Sequence, residues 1–494
     1  MTSSLSRRSL LGGLAGGLAG LATTGLEAEF VSADAATLQG SLPRRVDTVV
    51  VGGGLSGLVA ARKVAHTGRS VLVVEARHRV GGRLLNHRLA DGSHIEAGGA
   101  FIGPTQDHIA ALARELGVRT FLEYNTGESV YISSTTGRQT YTGTVPPDPT
   151  ILVDAAVLQT QLDQWAAEID VDAPWTHPRA AEWDSMTLAE YLRKNSVNAA
   201  GIENLIRCWT QPGFGADPAE LSLLFVIHYI ACSGNERNPG TFERNSDTAD
   251  GAQERRFVGG SQLVPLRLAQ HLGDRVALAA PVRRIVQRSD HAEVHTDRGV
   301  VRCRRVIVAA PPPMVLGIDW FPHLPVRRAQ LLKGMDMGNL MKCDAIYRTP
   351  FWRADGLNGF GISDSGAVRA AFDNQPGDGS KGVLLAFVGG STWRKYGVQT
   401  RAERRRHVLE GFAAMFGEKA LHPIDYVEHD WNHEAWTGGG PVAIMGPDTL
   451  TSFGPALRQP FGRVHWAGTE TSTYWTGYMD GAVRAGKRAA GEVL

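Results

Sequence analysis

The sequence has almost no surplus charge, with 51 Lys and Arg against 50 Asp and Glu among its 494 residues. A protein that held nucleic acid or an anionic membrane by counter-charge would carry a basic excess, so neither partner is expected. Cysteine is scarce. Cys208, Cys232, Cys303 and Cys343 lie far apart, outside CxxC or zinc-ligand spacing, and read as buried small hydrophobes. The histidines are scattered, and His433 and Glu434 are adjacent rather than one helical turn apart, so no metal site is expected. GxSxG is absent and no Ser-His-Asp pattern is legible, which leaves hydrolysis without support. Beyond the N-terminus no apolar run is long enough to cross a bilayer.

Glycine, by contrast, is plentiful at 58 residues, and much of it sits in short motifs of the kind that bring backbone against a ligand. A composition of 43% hydrophobic and 20% charged residues is ordinary for a soluble globular protein, and the length calls for two domains. The first 40 residues form a separate signal and linker. Ser6-Arg7-Arg8-Ser9-Leu10-Leu11 leads into a Gly/Ala/Leu run ending near Leu26, and Ala33-Asp34-Ala35 offers small residues for cleavage. This resembles a twin-arginine export signal. The run is short and glycine-rich for a membrane anchor. The mature chain is therefore expected without a membrane span, in a periplasm or outside the cell.

Asp47–Val51 reads as a buried parallel strand and runs directly into Gly52-Gly53-Gly54-Leu55-Ser56-Gly57. Leu58, Ala61, Val64 and Ala65 then recur at helical spacing, Gly68 stops the helix, and Ser70–Glu75 is a second strand with an acid at its end. Gly52 permits the tight turn, Gly54 admits a pyrophosphate to the backbone, and Gly57 lets helix and strand pack closely. The helix N-terminus offers N–H groups to the diphosphate, and Glu75 can accept from ribose hydroxyls. Strand, glycines, helix, strand and acid in this order predict dinucleotide binding. The residues alone leave FAD and NAD both open.

Ala76-Arg77-His78-Arg79-Val80-Gly81-Gly82-Arg83 follows the acid and looks like the extension found in FAD enzymes of the amine oxidase type. The same likeness continues through Glu96-Ala97-Gly98-Gly99-Ala100-Phe101, Asp172–Trp175, Glu182–Thr187 and Gln253–Ser261. It is most specific at the end, in Trp466-Ala467-Gly468-Thr469-Glu470-Thr471 and Trp475-Thr476-Gly477-Tyr478-Met479-Asp480-Gly481. Over nearly its whole mature length the chain resembles the flavin-dependent monoamine oxidases. The resemblance implies an α/β fold: a discontinuous Rossmann-type FAD-binding domain over about 44–125, 252–332 and 425–494, with an α+β substrate domain over 126–251 and 333–424. Val276–Gln287, Ala292–Thr296, Arg304–Ala310, Cys343–Tyr347 and Val383–Val388 read as strands. Leu188–Lys194, Arg401–Phe416 and a closing segment from Gly477 read as helices.

The resemblance also assigns roles. Lys342 would hold a water beside the flavin, and Tyr478 would be one of two aromatics flanking the amine. Gly82 and Arg83 would reach the pyrophosphate, with Arg83 adding charge to it. Gly98, Gly99, Ala100 and Phe101 would lie beside the ring, Val282 at the adenine side, and Trp431, Gly468, Thr469, Glu470 and Met479 around the cofactor. After Trp436-Thr437-Gly438-Gly439 the mitochondrial enzymes have cysteine then tyrosine, whereas this chain has Gly440 and Pro441. A covalent cysteinyl flavin is then excluded and FAD is expected to be noncovalent. The tyrosine pair is incomplete, with Trp436 as a candidate replacement surface and Pro441 and Ala231 as altered pocket positions. The implied reaction takes a small amine to an imine, hydrolysed to an aldehyde or ketone plus ammonia or a smaller amine, with O2 reduced to H2O2. Alternatives are a dehydrogenase passing electrons to a cytochrome or quinone, for example from a secondary alkaloid amine, an amino-acid or polyamine oxidase, and a noncatalytic FAD-binding partner. Family members commonly form homodimers.

Overall fold

The computed structural model describes residues 40–494. The expected twin-arginine signal lies outside the described residues. β1 (Arg45–Val51) carries Val49, Val50 and Val51 at 0–6% exposure, as a β-branched strand covered on both faces should. It continues through α1 (Leu55–Ala65) to β2 (Val71–Val74), which pairs with it in parallel. On its other side β1 pairs in parallel with Gly299–Val308. Leu58, Ala61 and Val64 of α1 pack into the core over this sheet.

The sheet has eight strands. Their order is Asp319–Phe321, Val282–Gln287, Ala292–Thr296, Gly299–Val308, β1, β2 and Val276–Ala277, with Val464–Trp466 added in parallel along the end of Gly299–Val308. The stretch 276–287, read from sequence as continuous strand, is divided. Val276–Ala277 closes one edge beside β2, and Val282–Gln287 lies near the other edge. Between them Ala279 takes a positive φ of 49° and Pro281 lacks an N–H for a ladder.

A second sheet runs Asp425–Asp430, Leu340–Tyr347, Gly382–Gly389, Ala370–Asp373, Leu357–Ser363, Glu128–Ser133 and Gly137–Tyr141. Every residue of Leu340–Tyr347 is buried. Met341, Cys343, Ala345 and Tyr347 pack on one face with Phe412 and Met415 of the Arg401–Phe416 helix. Strand alternation then sends Lys342, Asp344 and Ile346 to the other face, where Ile346 meets Leu89 and Ile95 of the first half. The edge strand Asp425–Asp430 pairs antiparallel with Leu340–Tyr347. It therefore extends this sheet, and not the cofactor-binding piece in which the sequence division placed residues from 425 on. Ala443–Met445 likewise pairs with Met335–Met337. Strand partners are set by contacts distant in sequence, which local hydropathy does not encode.

The Leu188–Asn195 and Arg401–Phe416 helices both start on a Thr-x-x-Glu capping box, Thr187 with Glu190 and Thr400 with Glu403. The closing helix is Met479–Val493, two residues later than expected from Gly477, whose φ of +85° is not helical. Among the described residues no helix is long and apolar enough to cross a membrane, no His/Cys/Asp/Glu group could hold a metal ion, and all four cysteines are buried.

Candidate active site

One cavity of about 700 Å³ is lined from the β1–α1 turn to the inner face of the second sheet. At the first end a Cβ on Gly57 would lie 2.0 Å from the Gly52 carbonyl oxygen, so only glycine allows the helix to start this close to the strand. Gly57 accordingly serves packing and does not line the cavity. A Cβ on Gly54 would meet nothing nearer than 3.9 Å, so the backbone there is open to the cavity. The first turn of α1 has no side-chain cap, which leaves N–H groups facing outward. Glu75 is 4% exposed and oriented by two amides: Gly53 N–H donates to Oε2 at 2.6 Å and Arg77 N–H to Oε1 at 2.8 Å. Each carboxylate oxygen keeps a lone pair for a ribose hydroxyl. Leu55, Ser56, Ala76, Arg77, Gly82, Val282 and Gly468 also line this part.

Two expectations, for Glu470 and Trp436, are corrected here. The Arg83 guanidinium is engaged by Glu470, with Nη1–Oε1 at 2.6 Å and Nη2–Oε2 at 3.1 Å, and by the Pro441 carbonyl at 2.8 Å. Its charge is partly matched within the protein, and its side chain still lines the cavity. Glu470, 4% exposed, is the buried partner in that pair and is not part of the cavity lining. Trp436 lies under the Arg283 guanidinium at 5.4 Å, beside Val282, while its neighbour Thr437 hydrogen-bonds Arg77. It belongs to the nucleotide end and does not complete an aromatic pair with Tyr478.

The cavity narrows chemically around residues 96–99, whose carbonyls all accept side-chain hydrogen bonds. Lys342 Nζ donates to Glu96 O and, at 3.1 Å, to Gly98 O. Trp431 Nε1 donates to Ala97 O at 2.9 Å, and Ser261 Oγ to Gly99 O. The segment Gly98-Gly99-Ala100-Phe101, lining the cavity with Trp431 and Lys342, is thereby held rigid. Lys342 is fully enclosed, and that burial pulls its ammonium below the usual lysine range, against the pull of Asp344 and Glu96. Two of its three N–H donors are committed to carbonyls.

Beyond this point the lining is aromatic. Phe372 contacts Phe101, Phe360 and Phe387 at centroid distances of 5.6, 5.1 and 5.9 Å. Phe387 stands opposite Lys342 in strand register, which puts the lysine and this wall on one face. Facing it are Tyr478, Tyr229, Trp209 and Phe242. Tyr478 precedes the closing helix, with its carbonyl accepting from Thr469 Oγ1 at 2.7 Å, and burial pushes its phenol up to about 12. Thr469, Met479, Gly440 and Pro441 also reach the cavity, and Ala231 does not. Ala231 ends the Leu223–Ala231 helix packed under Gly240, and Tyr229, two residues earlier, is the side chain that reaches in. Tyr229 is the aromatic neighbour of Tyr478, at 6.0 Å between centroids. Tyr229, Trp209, Gln253, Phe360, Phe372 and Phe387 were missed from sequence, whereas Phe101 was named there. One signal existed for Tyr229: all nine residues of its helix are buried, so a tyrosine there has to direct its hydroxyl into the interior.

An uncapped helix N-terminus, an oriented carboxylate and one cavity continuing between a fixed glycine-rich segment and aromatic walls fit a flavin dinucleotide; α1 would hold its diphosphate, and Lys342 and Trp431 would lie at its ring. Fold and site together define an FAD-dependent oxidoreductase. The sequence matches the family model of flavin-containing amine oxidoreductases over residues 55–494. It is 41% identical over 452 residues, 91% of this chain and 97% of the other, to the Mycobacterium tuberculosis protein AofH, whose name places it among flavin-containing monoamine oxidases. Wild-type putrescine oxidase bound to putrescine superposes with a TM-score of 0.86 at 35% identity, covering 91% of this chain and 99% of that one. Cyclohexylamine oxidase from Brevibacterium oxydans gives 0.85 at 34%, covering 91% and 98%. The chain belongs to the flavin-containing amine oxidase family, and is an FAD enzyme acting on amines.

Proposed function

We propose that the enzyme oxidises the neutral form of an apolar cyclic or aryl amine to its imine, with O2 as the electron acceptor and H2O2 as its product. The imine is then hydrolysed to an aldehyde or ketone. The observation that carries this reading is the chemistry of the inner chamber: aromatic walls around the single buried cation Lys342. A cationic substrate would gain little beside that ammonium, so a deprotonated amine is favoured, and no strong general base is then needed. The cavity lining contains no arginine besides Arg77 and Arg83, and both are paired at the nucleotide end. Nothing there would hold an amino-acid carboxylate. Asp247 is the lining carboxylate outside Glu75, already bonded by Thr144 Oγ1 at 2.6 Å and Ser246 Oγ at 3.2 Å. A cyclic apolar amine, of the kind the Brevibacterium enzyme is named for, suits this lining better than a diamine.

FAD supplies the two-electron acceptor when bound. The protein orients the amine between Tyr478, Tyr229 and the phenylalanine wall, excludes water, and presents the Lys342 charge where negative charge develops during O2 reduction. We also propose that the flavin is held without a covalent bond. Gly440 and Pro441 offer no thiol, and the lining cysteine, Cys208, bonds Ser363 O at 3.1 Å and is pushed up to about 12 by burial. Anaerobic mixing with cyclohexylamine or benzylamine should bleach the flavin, and admission of air should restore it with peroxide release. Turnover only with an added quinone or cytochrome would replace O2 as the acceptor.

A further inference from the structure

We propose, on the reading of the aromatic chamber as the amine site, that Asn245 is a positioning residue that fixes the hydroxyl end of Tyr478. Asn245 lies in the short Phe242–Ser246 helix and is 2% exposed. Its side chain makes three hydrogen bonds. Trp209 Nε1 donates to Oδ1 at 3.0 Å, and Nδ2 donates to Ser233 Oγ at 2.7 Å and to Tyr478 Oη at 3.2 Å. An indole N–H can only donate, so the amide atom facing Trp209 has to be the oxygen. That turns the NH2 toward Ser233 and Tyr478 and commits both of its protons.

The direction of the last bond follows. The phenol oxygen of Tyr478 accepts from Asn245, and its own proton is left for another partner. The Tyr229 ring lies beside it, at 6.0 Å between centroids. The Tyr478 ring is then held at three places. Its backbone is tied by Thr469, its ring meets Trp475 edge-on at 4.9 Å and 78°, and its hydroxyl is tied by Asn245. The first two restrain the near end of the side chain. Asn245 restrains the far end, from the separate Phe242–Ser246 helix. Because Trp209 lines the same cavity, one amide sets the relation of two aromatic side chains there. A buried amide costs stability unless its bonds are made, and here three of them are.

A double-mutant cycle on the holoenzyme tests this, using Asn245→Leu, Tyr478→Phe and the pair. Two quantities are read: the dissociation constant of 2-phenylpropan-2-amine, which lacks an α-hydrogen and is scored by perturbation of the flavin band, and the limiting anaerobic bleaching rate with benzylamine. Asn245→Leu should weaken binding and slow bleaching about tenfold in the wild-type background and less than about twofold in Tyr478→Phe. Asn245→Ala removes the amide without adding bulk against Trp209 and Tyr478. It should show the same dependence on the Tyr478 hydroxyl, and it carries the cycle if the leucine variant does not hold flavin. Equal losses in both backgrounds, or none in either, would overturn the positioning role while leaving amine oxidation intact. A wild-type enzyme that neither binds the analogue nor bleaches would overturn the amine-site reading and this inference with it.

Discussion

Lys342 has two of its three N–H donors on the carbonyls of Glu96 and Gly98, yet it is also the one cation of the inner chamber. Lys342→Met should therefore act mainly on the half-reaction in which negative charge builds up. Flavin reoxidation by O2 is expected to slow by about 10²-fold, the size of effect seen when one preorganised electrostatic group is removed, with anaerobic bleaching much less affected. Stopped-flow measurement of both halves checks it, and equal slowing of the two would point to a structural role alone. Glu434 offers a pH-dependent case. Its contact with His429, at 3.4 Å, and then the Arg77 guanidinium hold its carboxyl down at about 2, from an ordinary 4.5. A depressed carboxyl stabilises the fold above its unfolded value, and this is lost as pH falls from 4.5 through 2. Glu434→Gln should lower the melting temperature at neutral pH and flatten its fall across that acid window; a parallel shift at every pH would contradict the assignment. At this scale the legible residues were those in compact motifs, such as Glu75 and Tyr478. Asn245 was not legible, because its partners lie on other elements and no local pattern marks it; for Tyr229 the one signal was its wholly buried helix. Trp436 was misplaced for the same reason, since a side chain's partner is not part of its motif.

The β1–α1–β2 unit is the element most fully specified by local sequence, because strand, glycine turn, helix and strand are consecutive and Gly57 packs against the nearby Gly52 carbonyl. Gly57→Ala would push a Cβ to within 2.0 Å of the Gly52 carbonyl, backbone against side chain with nothing flexible to yield. The variant should be destabilised by at least about 1–3 kcal/mol and purify with little flavin. Flavin absorbance against protein absorbance measures this, and a fully loaded variant would rule out the close packing. The helices with capping boxes kept their expected starts, because the cap is a local bond. The closing helix began two residues late because Gly477 takes a left-handed turn that places Tyr478 at the chamber wall.

Over the whole molecule the two sheets meet across buried charge. Arg256, 2% exposed, pairs with Glu96 at 2.9 Å and with Glu123, donates to the Gln375 carbonyl beyond the second sheet, and covers the Phe121 ring at 5.0 Å. Burial holds the Glu123 carboxyl up at about 7 even beside the guanidinium. Arg256→Met would strand two carboxylates and is expected to cost about 3–5 kcal/mol, read from denaturant unfolding; a loss under about 1 kcal/mol would show that the pairs contribute little. The cofactor end of the molecule was readable because it lies in contiguous motifs at both ends of the chain. The membership of Asp425–Asp430 in the second sheet was not, since its only signal is its pairing with Leu340–Tyr347.

The most direct measurement is anaerobic flavin bleaching by a panel of primary, secondary, aromatic and acidic amines, followed by admission of air. Apolar cyclic and aryl amines should reduce the flavin fastest at a pH where they are neutral, with colour returning in air and peroxide formed. Bleaching by none of them, or only by amino acids or diamines, would contradict the aromatic chamber as an apolar-amine site.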